Sequence, residues 1–331
     1  NNMALSRICS SFNQSQTAAQ RTFSLLKRLL DKGGRAGVLR PFSASASSDR
    51  GDGSVAKEGR VVVITSGKGG VGKTTTAASL GFGLANRGFK TCLIDFDMGL
   101  RNLDIHLGME RRVIFDFVHV LHQECTLKQA LIVDKRCKDL HLLAASQTRD
   151  KSVLTTDGVG AILSDLKKSF DFVLCDSPAG IESGAHHAMY FADDALIVTN
   201  PELSSCRDSD KMVGFISSKS LRAEEGRSGV SQTLLVTRYD PQRVESEDML
   251  HLDDVKDLLG LPLLGVIPES SLVLAATNLG KPVITMEGND VSEAYQDAVG
   301  RFLGEELELR FTEIPPPTSL FQRIMSKVSS R

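Results

Sequence analysis

The sequence predicts an α/β fold: a doubly wound, mostly parallel sheet with helices on both faces. Three observations carry that expectation. From Gly59 onward, short β-branched apolar runs alternate with helical patterns, the alternation that builds parallel sheets. The first run opens into Gly67-Lys68-Gly69-Gly70-Val71-Gly72-Lys73-Thr74, a GxxxxGK[ST] phosphate loop between strand and helix. Two later runs end in aspartates, where such a sheet places its ligands.

In chain order, residues 1–58 come first. Over residues 1–48 the bases Arg7, Arg21, Lys27, Arg28, Lys32, Arg35 and Arg40 face one acid, Asp31, among many serines. Leu25, Leu26, Leu29 and Leu30 lie at helical spacing between basic residues. An Arg-rich, Ser-rich, acid-poor start is the composition of an organelle transit peptide. The basic amphipathic pattern favours a mitochondrion, peripheral to its inner membrane on the matrix side, with the plastid stroma as the alternative. Arg40-Pro41-Phe42-Ser43-Ala44-Ser45 resembles a matrix-processing region.

An ATPase domain is expected over 59–311. Its strands are read at 61–65, 91–94, 140–143, 172–175, 195–199, 232–236 and 263–267. Its helices are read at 75–86, 158–168, 209–218, 255–259 and 292–306, with 220–231 as an exposed loop.

Composition narrows the function. The 331 residues are 41% hydrophobic and 24% charged with a net charge of −2, an ordinary globular balance with no general pull toward nucleic acid. Trp is absent and Tyr numbers 3, so stacking platforms for bases are scarce and no specific nucleic acid is expected. No 18-residue apolar run marks a spanning helix. The 6 cysteines form no CxxC pair, which suggests a reducing compartment. Cys92 and Cys175, inside strand runs, read as buried thiols.

The loop carries the chemistry. Backbone amides from Gly67 through Gly69, Gly70, Val71 and Gly72 to Lys73, Thr74 and Thr75 are placed to cradle phosphates at a helix N-terminus. Lys73 would reach the β- and γ-phosphates of ATP, and Thr74 would hold Mg²⁺. Lys68 is surplus to binding in cis, which makes it a candidate trans-acting cation for the nucleotide of a facing protomer. The run 91–94 ends in Asp95-Phe96-Asp97, and 172–175 ends in Asp176-Ser177-Pro178-Ala179-Gly180. Asp176 fits a Walker-B carboxylate, Asp97 a residue that orients the attacking water, and Asp95 joins them around the metal. No NKxD guanine-reading motif occurs, which favours ATP over GTP.

These motifs resemble the deviant-Walker-A ATPases, and among them the MinD family. The resemblance runs from about residue 60 to 310. It includes Asp95-Phe96-Asp97-Met98-Gly99-Leu100-Arg101-Asn102-Leu103-Asp104, Asp176-Ser177-Pro178-Ala179-Gly180-Ile181-Glu182 and Thr237-Arg238-Tyr239. It implies a SIMIBI-type P-loop NTPase that dimerises on ATP, works on membranes, recruits a MinC-like division inhibitor and answers a MinE-like activator. It also implies that Lys68 is the signature lysine, Asp97 and Asp176 are switch aspartates, and Arg238 lies near adenine. A DNA-partitioning relative would want a basic DNA-binding face. An iron–sulfur scaffold relative would want a CxxC near the C-terminus, and 260–331 holds no cysteine. A filament former with vestigial hydrolysis is disfavoured because every expected catalytic position is filled.

Pro315-Pro316-Pro317 then precedes a stripe of Leu320, Phe321, Ile324, Met325 and Val328, with Arg323, Lys327 and Arg331 on another face. That pattern predicts an interfacial amphipathic helix over 318–331 for anionic lipid. The prolines set it apart from the core, which favours lipid over docking on its own protein.

Overall fold

The computed structural model describes residues 58–149, 153–181 and 183–313. The leader and the C-terminal segment, including Leu320, Phe321, Arg323, Ile324, Met325, Lys327 and Val328, lie outside the described residues.

The first half of the domain runs β1 (Arg60–Thr65), α1 (Lys73–Asn86), β2 (Thr91–Asp95), α2 (Leu103–His106), α3 (Phe117–Leu121), α4 (Leu127–Ala130), β3 (Ile132–Val133) and β4 (Leu140–Leu143). Then come α5 (Thr156–Lys167), β5 (Phe172–Asp176), α6 (Ser183–Tyr190), β6 (Asp194–Thr199), α7 (Leu203–Lys219) and α8 (Leu221–Glu224). The rest is β7 (Ser231–Tyr239), α9 (Pro241–Glu245), α10 (Leu252–Leu259), β8 (Leu263–Pro268), α11 (Leu272–Asn278) and α12 (Asp290–Phe302). The strands lie in the order β3-β4-β2-β5-β1-β6-β7-β8. Every pairing is parallel except β3 with β4.

Alternation along each strand builds the two layers. In β1, Val62 and Ile64 face one core while Val61 and Val63 face the other. In β6, Leu196 and Val198 oppose Ala195 and Ile197 in the same way. Strands buried on both faces read as unbroken apolar runs, which is why the central ones were legible. Leu80 and Leu84 of α1 and Val299 and Phe302 of α12 cover the first face. Val159 and Leu163 of α5, Met189 of α6 and Met212 and Ile216 of α7 cover the second. Cys92 and Cys175 are buried free thiols, as their strands predict.

The differences from the sequence reading have local causes. The helix expected at 209–218 begins at Leu203, because Ser205, Cys206 and Ser209 are buried positions that do not look apolar. The helix expected to reach 306 ends at Phe302, where Leu303 and Gly304 turn the chain. The loop 220–231 contains a helical turn, Leu221–Glu224, capped by the Ser220 side chain. Short helices that the sequence reading left out, such as Phe117–Leu121 and Leu272–Asn278, span too few turns to show a 3.6-residue period clearly.

Candidate functional site

β1 delivers the loop to the carboxyl edge of the sheet, and α1 leaves it. Gly72 sits at φ 96 as the N-cap of α1, a left-handed conformation that other residues resist. Gly67 passes so close to α7 that a Cβ there would stand 2.1 Å from the Asp208 carbonyl carbon. A Cβ at Gly69 or Gly70 would meet no atom of the chain within 4 Å. The Thr237 hydroxyl donates to the Val71 carbonyl at 2.6 Å and ties the loop to β7.

The two lysines part company. Lys73 is buried and donates to Ser66 Oγ at 3.0 Å, and that hydroxyl donates onward to the Lys68 carbonyl at 2.7 Å. Burial lowers the Lys73 ammonium below its ordinary pKa, against the pull of Asp176 and then Asp97. Lys68 points to the surface, where Nζ meets Glu202 Oε2 at 2.9 Å and Ser204 Oγ at 3.4 Å. Those partners begin α7.

The three aspartates also divide. Asp95 and Asp176 are register partners at the ends of β2 and β5. Asp95 spends both oxygens on its own loop: Oδ1 accepts from the Asp97 amide at 2.8 Å, and Oδ2 from Asn102 and Leu103 at 3.1 Å each. This carboxylate, expected around the metal, therefore shapes the 96–103 turn and starts α2. Asp176 differs. The Thr74 hydroxyl lies close enough to favour its charged form, while buried Oδ1 has no protein partner. Burial, then the charge of Asp95, raises the Asp176 pKa. A buried carboxylate oxygen left without a donor, beside a threonine hydroxyl, suits a hard divalent cation. The residues present thus fit Mg²⁺ at Thr74 and Asp176. Asp97 stands near enough to act electrostatically on both Lys73 and Asp176.

A cavity of about 490 Å³ continues from the loop. Gly70, Gly72, Thr75, His106, Arg238, Glu269, Leu274 and Tyr295 are among the residues that line it. Arg238 adopts φ 56, and its Nε donates to Glu269 Oε2 at 2.8 Å. The structure therefore gathers Gly67 to Thr75, Asp95, Asp97, Asp176 and Arg238 at one edge. Glu269, His106 and Tyr295 escaped the sequence reading. The rule that ligands meet strand carboxyl ends would have marked Glu269, which follows β8 directly.

Loop, strand-end carboxylates and sheet order define the class, a P-loop nucleotide-binding protein. Residues 62–283 match the CobQ/CobB/MinD/ParA nucleotide binding domain family. The septum site-determining protein MinD of Neisseria meningitidis serogroup B is 54% identical over 268 residues, covering 80% of this chain and 98% of that protein. In the MinC:MinD cell division protein complex of Aquifex aeolicus, one chain superposes with TM-score 0.68 at 39% identity, covering 76% of this chain and 98% of that one. MinD of Pyrococcus horikoshii, complexed with Mg-ADP, superposes with TM-score 0.63 at 28% identity, over 72% of this chain and 94% of that one. The chain belongs to the MinD family.

Proposed function

We propose that this chain is a switch ATPase that dimerises on ATP, binds membrane as a dimer and positions the division site of an organelle. One observation carries the reading: a single loop holds a buried lysine beside Asp176 and a second lysine turned outward to the surface. Lys73 binds the phosphates in cis. Lys68 exchanges Glu202 for the phosphates of a facing protomer. Thr74 and Asp176 would hold Mg²⁺, which would supply positive charge to offset that of the phosphates. Asp97 orients the attacking water, and Arg238 borders the adenine. Hydrolysis to ADP and phosphate removes the reason for Lys68 to reach across, and the dimer parts.

Family membership and the Aquifex complex support a MinC-like inhibitor as partner, and the family resemblance supports a MinE-like activator. The basic amphipathic stripe over 318–331 supports anionic lipid as the surface. One copy binds weakly, whereas a dimer makes the second insertion intramolecular. The leader composition supports the mitochondrion, with a plastid as the alternative. Imaging a tagged full-length chain beside markers for both would separate them.

The function is tested by light scattering and vesicle sedimentation with ATP and ADP. With ATP, wild type should dimerise and pellet with anionic vesicles, while Lys68→Ala should bind nucleotide yet stay monomeric. Ile324→Glu should dimerise and stay in the supernatant. Equal pelleting of wild type in ATP and ADP, or a tight Lys68→Ala dimer, would overturn the reading.

A further inference from the structure

Two short helices that line the cavity meet again outside it. α2 brings His106 to the cavity, and α11 brings Val273, Leu274 and Thr277. The Thr277 hydroxyl and His106 Nδ1 lie 3.4 Å apart. Each helix is followed by a left-handed glycine, Gly108 at φ 61 and Gly280 at φ 62, and the two turns touch. A Cβ at Gly108 would stand 2.7 Å from the Gly280 carbonyl oxygen, and one at Gly280 would stand 2.7 Å from the Gly108 Cα.

Arg136 joins these turns. Its Nη2 donates to the Leu107 carbonyl at 2.8 Å, and its Nη1 donates to the Gly280 carbonyl at 3.1 Å. Carbonyls at helix C-termini lack partners within the helix and favour a cation. The guanidinium is itself held in place. The buried Asp134 carboxylate accepts from Nε at 3.1 Å, from Nη2 at 2.6 Å and from the Arg136 amide at 2.6 Å. The Phe82 ring lies 5.7 Å from the guanidinium carbon. The far end of α2 is anchored as well, because Asp95 Oδ2 accepts from the Asn102 and Leu103 amides while Oδ1 holds the Asp97 amide. With 4 residues, α2 is a spacer of about 6 Å between the phosphate edge and the joint with α11.

We propose that Arg136 is a positioning residue for the nucleotide: by fixing α11 to α2 it sets where the nucleoside end of the cavity stands relative to the phosphate loop. It acts through the two helices, since Leu107, Gly108, Arg136 and Gly280 are not among the residues that line the cavity. A nucleotide is one molecule that must meet both ends at once. Its phosphates need the loop amides and Lys73, and its nucleoside needs the wall that α11 and α2 build. A shift of about 1 Å between the ends keeps one set of contacts and loses the other. The planar fork of arginine can serve a carboxylate and two carbonyls together, whereas a lysine ammonium is a point charge that pairs with Asp134 but does not span both carbonyls. The inference rests on the nucleotide reading of the cavity and names the part of the ligand that the joint serves.

The test compares two ligands on the full chain: a fluorescent ATP analogue, and inorganic tripolyphosphate measured by its displacement of that analogue. Arg136→Lys is the first variant, because Asp134 keeps a cationic partner and no buried carboxylate is left unpaired. It should bind the analogue about ten-fold more weakly than wild type, while its affinity for tripolyphosphate, which has no nucleoside, stays within about two-fold. Gly280→Ala, which forces the two turns apart from outside the cavity, should show the same split. A merely structural role would weaken both ligands alike or neither. Equal weakening of the two ligands, or wild-type affinity for the analogue in both variants, overturns the proposal. If Lys73→Ala bound the analogue as wild type does, the nucleotide reading would fall and this inference with it. If Lys73→Ala lost both ligands while the two joint variants bound both as wild type does, this inference alone would fall.

Discussion

Two carboxylates shielded from water sit at opposite ends of the sheet and are treated in opposite ways. Asp193, just before β6, accepts at Oδ1 from Arg222 at 2.5 Å and at Oδ2 from the Val61 amide at 3.0 Å and from Lys167 at 3.3 Å. Burial pushes its pKa up, but Arg222, the Val61 amide and Lys167 outweigh burial and hold it below the ordinary value. Asp176, at the end of β5, keeps one oxygen unpartnered and is raised by burial and Asp95. The chain supplies its own cations at the amino edge, where the carboxylate ties β1, α5 and α8 together. At the carboxyl edge it leaves a carboxylate under-satisfied, so that a ligand can complete it.

The comparison breaks first if the carboxyl edge does not bind nucleotide. Lys73→Ala should weaken binding of a fluorescent ATP analogue more than about 100-fold, since a buried charge-assisted contact to phosphate is lost. Stability in urea should barely change. Asp97→Ala should keep that affinity yet slow phosphate release roughly 100-fold, the scale of losing a positioned water-orienting group. Unchanged turnover would remove Asp97 from the mechanism.

At the other edge, Asp193→Ala strands Arg222 and Lys167 and should cost about 3 kcal/mol in urea unfolding. Nucleotide affinity should stay within two-fold. Asp176→Asn should do the reverse, abolishing hydrolysis while leaving stability unchanged or higher, because it relieves repulsion with Asp95. If Asp193→Ala left the urea midpoint alone, the amino-edge cluster would not be structural.

The smallest effect separates the two ends by pH. The depressed Asp193 contributes stability that is complete above its unfolded value near 4 and lost only as pH falls through the lower folded value. Between pH 4 and 7 it should be silent. His106, beside the cavity, has its pKa pushed down by burial to about 4 from 6.5. Its folded form stays neutral while the unfolded chain takes up a proton. Stability is therefore complete above pH 6.5 and falls as pH drops from 6.5 to 4. His106→Gln should flatten that slope, by on the order of 2 kcal/mol at pH 4. Parallel curves for variant and wild type would refute the buried neutral imidazole.

What the sequence determined by itself is what depends on neighbours along the chain. The phosphate loop was legible because eight consecutive residues fix the spacing of amides, lysine and threonine. The central strands were legible because residues such as Val61, Val62, Val63 and Ile64 are apolar on both faces. Tertiary structure decided everything that joins distant residues. Asp95 and Asp176 look alike as aspartates at strand ends, but only the folded turn of residues 96–103 takes up both oxygens of Asp95. Lys68 meets Glu202 across 134 positions of sequence. The wall of Arg238 and Glu269 exists only once β7 and β8 are packed. A hydrogen bond needs its partners about 3 Å apart, and for residues that far along the chain only the packing of the sheet and its helices sets that distance.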